Sequence, residues 1–81
     1  MTDKEILQHI TQLVNEEHEL MQRSEHDGGL DEGEHARMKE LEISLDQCWD
    51  LLRQRRARRS AGQNPDDAAV RDPNIVERYQ Q

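Results

Sequence analysis

Ile6, Leu13 and Leu20 stand seven residues apart, and Leu7, Val14 and Met21 repeat the interval one position later. With Ile10 between them, these side chains form one continuous stripe on a helix that turns about 100° per residue. A stripe of this kind forms a stable helix only when it packs against a second apolar surface. Thr2 is placed to cap the helix, and Glu5 three residues on completes a capping box. Nothing breaks the pattern before Gly28, so the spacing predicts a helix over about residues 3–26.

The second surface follows at once. In "HDGGLD" an aspartate and two glycines supply the backbone freedom of a reversal, which predicts a turn over 27–31. Asp31 caps the next helix, with Glu34 at the capping-box position. That helix is predicted over about 32–60, with Gly62 as its stop signal. Met38, Leu41, Leu45, Cys48 and Leu52 alternate steps of three and four along it, an a/d seam that Trp49 widens. Ile43 and Leu51 lie on the far side with Gln47 and Gln54, a second contact surface for another chain or for the tail. Residues 62–81 hold both prolines and too few apolar residues for a core, so a mobile, largely irregular tail is predicted. Ile75, Val76 and Tyr79 have the spacing of one helical turn, which allows a short helix near 74–79.

The fold class is therefore all-α: an antiparallel, coiled-coil-like two-helix hairpin over 1–61, followed by the tail. Only 32% of the chain is apolar, 36% is charged, and phenylalanine is absent. A core that thin favours self-association. A lone hairpin leaves one flank of each stripe wet, so a homodimer forming a four-helix bundle is predicted. Ile6, Ile10, Leu13, Leu20, Met38, Leu41, Leu45, Cys48, Trp49 and Leu52 are the predicted core and dimer seam.

Charge is placed unevenly. The net charge is −7, and residues 1–52 hold most of the acids with only four Lys or Arg. Arg53, Arg55, Arg56, Arg58 and Arg59 then fall within seven positions without an acid among them. Folding about Gly28 and Gly29 would set Arg53 beside Asp3 and Lys4, and leave Arg55 to Arg59 projecting beyond the hairpin. Part of this run has a structural account: cations complement the dipole of a helix C-terminus, and Asp66 and Asp67 can neutralise them locally. As a functional element the five arginines predict a partner-binding site. The leading reading is a non-enzymatic interaction protein whose guanidinium groups bond carboxylates or phosphates, with an acidic protein as a possible partner. Nucleic acid ranks second, because the arginines fan around the helix and the remaining surface repels phosphate.

Other chemistries find little footing. Cys48 is the only cysteine, which excludes an internal disulfide and fits a reducing cytosol. On the seam it reads as a small buried hydrophobe rather than a nucleophile, with His9 only at its flank. Glu32 and His35 have the E-x-x-H spacing of di-iron bundles, but one such motif per chain would need a dimer to complete a site. His18, His26 and His35 near the turn read as solvated polar residues. No catalytic residue, metal or cofactor is predicted. No signal-peptide pattern or membrane-length apolar run occurs, so a cytoplasmic protein away from the membrane is predicted.

The segments "EEH" (16–18), "EHARMKELE" (34–42) and above all "LDQCWDLLRQRRARR" (45–59) resemble a family of small actinobacterial proteins classed as a domain of unknown function. The resemblance covers essentially the whole chain. It implies a small helical cytosolic protein and carries no activity, ligand or catalytic residue.

Overall fold

A computed structural model describes residues 1–26 and 29–73 of the chain. Two helices, α1 (Asp3–His26) and α2 (Glu32–Ser60), pack against each other as an antiparallel hairpin, and a single 3₁₀ turn follows at Pro65–Asp67. Hairpin and docked tail together measure 51 × 25 × 17 Å. Asp27 and Gly28 of the predicted turn lie outside the described residues, as does the short helix predicted near 74–79.

Local chemistry explains where the helices start and stop. The Glu5 amide donates to Thr2 Oγ1 at 3.2 Å, and the Thr2 amide donates back to Glu5 Oε1 at 3.1 Å. Asp31 and Glu34 make the same reciprocal pair at 2.8 and 3.2 Å, so each box satisfies amides that a helix start leaves without partners. Gly29 enters α2 at φ +129°, a region that a side chain would make costly. At the far end Gly62 takes φ +72°. Its amide donates to the Arg59 carbonyl at 3.1 Å, and the Gln63 amide donates to the Arg58 carbonyl at 2.7 Å. These are the two bonds of a Schellman stop.

The core has two parts. Ile6, Ile10, Leu51 and Leu52 pack near the start of α1, and Leu13, Leu20 and Leu41 pack toward the turn. Leu45 and Cys48 pack against both, while Leu30 and Met38 close the turn end. Only half of the α1 stripe is covered. The row Ile6–Leu13–Leu20 is buried, whereas Leu7, Val14 and Met21, about 100° further round, are exposed.

Leu51 corrects the sequence reading, which set it on the far side of α2. It is buried against Ile6, and Ala68 of the tail packs on the same cluster. One helical step from Leu52 leaves it close enough to the seam to reach α1, and the tail covers its outer side. Helix α2 thus buries residues on two faces, one toward α1 and one toward the tail. Trp49 departs in the other direction: placed on the seam by its spacing, it stays 43% exposed.

Truncating Leu41 or Leu51 to alanine should each lower stability by about 2–5 kcal/mol, since both leave cavities among buried neighbours. Urea denaturation followed by circular dichroism measures this. A Leu51→Ala cost below that of an exposed-site change would contradict its place in the core.

Candidate functional site

The last turns of α2 carry all five clustered arginines, and the fold divides them into two groups. Arg55 and Arg59 are four apart and share a face. Both donate to Asp3 in the first turn of α1, Arg55 Nε to Oδ1 and Arg59 Nη2 to Oδ2. Arg55 Nη1 also donates to Asp66 Oδ1 at 3.0 Å. Arg55 is only 8% exposed. The predicted projection of Arg55 and Arg59 beyond the hairpin is therefore corrected. The helices are in a register that sets Arg55, not Arg53, opposite Asp3, and a long guanidinium stem lets Arg59 fold back one turn.

Arg53, Arg56 and Arg58 form the second group. None has an ion-pair partner among the described residues. Arg53 and Arg56 are exposed and Arg58 is half-buried. Arg53 and Arg58 flank the small side chain of Ala57, and an open cleft of about 600 Å³ lies over it, closed by Gln63 and Arg71 from the tail.

A polar cleat holds that tail in place. Gln47, Asp50 and Gln54 occupy one face of α2 at steps of three and four. Gln47 Nε2 donates to the Arg71 carbonyl at 3.2 Å, and Gln54 Nε2 donates to the Ala69 carbonyl at 2.7 Å. Asp50 between them is 1% exposed and accepts from Gln54 Nε2 at 2.9 Å and Arg71 Nε at 3.0 Å. A carboxylate buried this far is tolerable only with such partners. Residues 62–73, irregular apart from the 3₁₀ turn, are thus fastened to the helix. The sequence reading noted Gln47 and Gln54 on this face but missed Asp50 and Arg71. The available signal was a charge flanked by two glutamines at helical spacing, and it did not say which segment they would hold.

The same charges set the titration behaviour. Hydrogen bonds from Arg55 and then Arg59 hold the Asp3 carboxyl below its ordinary value, and Asp3 in turn raises Arg55. Midway along the hairpin, Arg37 reaches across to Glu16, with Nη2 donating to Oε1 at 2.9 Å, and lowers the Glu16 carboxyl likewise. Near the turn Arg23 pairs with Glu34 at 3.5 Å.

Cys48 is half-buried, and burial pushes its thiol up, away from the thiolate that nucleophilic chemistry needs. His9 lines the same narrow cleft as Cys48, together with Leu51 and Val70, and no hydrogen bond joins the two among the described residues. Glu32 and His35 are exposed at the start of α2, and His18 interacts with Gln22 on α1. The His26 side chain lies outside what the structure describes. Among the described residues no group of three or more His, Cys, Asp or Glu side chains gathers as a metal site would require. No helix among them is long and apolar enough to cross a membrane.

Residues 2–81, which span the hairpin and the docked tail, match the family model described as "Protein of unknown function (DUF2630)". The chain belongs to that family. It is similar to the uncharacterized protein Rv0898c of Mycobacterium tuberculosis (strain ATCC 25618 / H37Rv), with 49% identity over 78 residues that cover 96% of this chain and 90% of the relative. The uncharacterized protein Mb0922c of Mycobacterium bovis matches with the same identity and coverage. No solved structure matches the chain.

Two outcomes follow from the ion pairs. Asp3 has a depressed folded pKa, so its contribution is present above the unfolded value near 3.8 and is lost as pH falls through the lower folded value. Acid titration of wild type should show this loss, and Asp3→Asn should flatten that part of the curve. Asp50→Ala should free the tail while leaving the hairpin helical. Trypsin would then cut after Arg71 faster than in wild type, and unchanged cleavage would contradict the cleat.

Proposed function

We propose that this chain is a cytoplasmic, non-enzymatic interaction protein, a homodimer that captures an acidic protein partner through its arginine end. The observation that carries this reading is the division of the arginines. Arg55 and Arg59 are committed to Asp3, whereas Arg53, Arg56 and Arg58 have no counter-ion among the described residues of a chain whose net charge is −7. Guanidinium groups left without partners beside so many carboxylates are available for bidentate bonds to an incoming anion. They also sit on a rigid support, because Asp3 pins the helix end and the Schellman turn fixes the chain beyond it.

A protein carboxylate suits this surface better than nucleic acid. The free arginines point around the helix rather than along one groove. Trp49 is the one tryptophan, and a single aromatic side chain does not make the row of platforms on which successive bases stack. The acidic body of the hairpin repels a long polyanion beyond the immediate contact.

The test is a triple variant, Arg53→Glu, Arg56→Glu and Arg58→Glu, with a fluorescent poly-glutamate peptide as the probe. Loss of three charge-assisted contacts should weaken binding by at least ~10-fold at low salt, about 1.4 kcal/mol or more, with helicity unchanged. Undiminished binding sinks the proposal. Tight binding of a mixed-sequence RNA or DNA oligonucleotide, with a steep loss of affinity on adding salt, would transfer the site to nucleic acid.

A further inference from the structure

The arginine end accounts for one end of the hairpin and the tail for one flank. Among the described residues nothing covers the opposite flank. Leu7, Val14, Met21 and Trp49 are each between 43 and 50% exposed there. That they share one flank follows from the helix geometry. Leu7, Val14 and Met21 lie one residue past the buried row of α1, and Trp49 lies one residue past Cys48 on α2. In an antiparallel pair, positions just past the seam on both helices face the same way. The residues on the other side of the seams, His9 on α1 and Leu51 on α2, do line one common cleft with Val70 of the tail. Scattered exposed apolar residues are ordinary, but a heptad row is not scattered.

We infer that this flank is the homodimer interface, with α1 lying antiparallel on α1 of a second copy about a two-fold axis at Val14. The proposal deepens the reading above, which calls for a dimer without saying which face forms it. The occupant is fixed by the symmetry of the row. Leu7 and Met21 are equally distant from Val14, so the two-fold sets Val14 on Val14 and Leu7 on Met21 of the second copy. An isologous contact needs a patch that is complementary to itself in this way. Charge agrees. Lys4 then falls beside Glu25 of the second copy, and both are exposed with no ion-pair partner among the described residues. On α2 the same operation brings Trp49 to the level of Met38 of the second copy. The arrangement also sends the two arginine ends to opposite ends of the bundle, so each remains open to a partner.

Sedimentation equilibrium across a wide concentration range is the first measurement. Wild type should have twice the chain mass of 9.6 kDa, and Val14→Glu, which sets two carboxylates on the axis, should have the single mass. Because Val14 is exposed in the hairpin, the variant should stay helical. In a Cys48→Ala background, Val14→Cys should cross-link to itself on mild oxidation and Leu7→Cys should not, whereas the Leu7→Cys, Met21→Cys pair should link 7 to 21 between chains. A wild-type monomer at all concentrations, a dimer indifferent to Val14→Glu, or self-linking at Leu7 instead of Val14 would each overturn the inference. The triple arginine variant separates the two readings: it should remain a dimer while losing poly-glutamate.

Discussion

Arg55 joins all three parts of the structure. Its guanidinium leaves the last turns of α2, meets Asp3 at the start of α1 and reaches Asp66 in the 3₁₀ turn. A charge this buried is tolerable only while its partners are present, and removing them would leave a cation out of water without compensation. A slip of one helix along the other moves Asp3 out of reach. The ion pair therefore penalises wrong registers more than it adds to stability, which a seam of interchangeable aliphatic residues cannot do.

The same logic extends along the molecule. The apolar core is too small to specify the packing alone, and polar fasteners recur at each level: Arg23 with Glu34, Arg37 with Glu16, and Asp50 with Arg71. Asp50 and its two glutamine neighbours turn a face of α2 that would otherwise be wet into a seat for the tail. That seat covers the outer side of Leu51. One flank is thereby closed within the chain, and the apolar row on the other flank is left exposed among the described residues.

The functional reading rests on what these structural roles leave over. Five arginines in a row look like one basic element. Two of them belong to the fold, and three have no counter-ion among the described residues, Arg53 and Arg58 at the rim of an open cleft and Arg56 outside it. The proposed partner contact therefore falls to Arg53, Arg56 and Arg58. Variants at Arg55 or Arg59 would confuse loss of binding with loss of register.

Much of the fold was legible because its signals are local. Heptad spacing, the two capping boxes at Thr2 and Asp31, and the glycine stop at Gly62 depend on residues within a few positions of one another. The hairpin follows from them and from the length of the connection. Which arginines are free did not follow, because that depends on the register between helices, and a shift of two residues exchanges Arg53 for Arg55 opposite Asp3. Leu51 was misplaced for a related reason: spacing defines an angle on a helix, but only the neighbours decide whether that angle is covered. The sequence by itself determined the two helices, their ends and their antiparallel pairing, since each is set by short-range propensity and apolar periodicity. Only the tertiary structure decided the register, the docking of the tail on Asp50, and the division of the arginines, because those depend on where side chains distant in sequence meet.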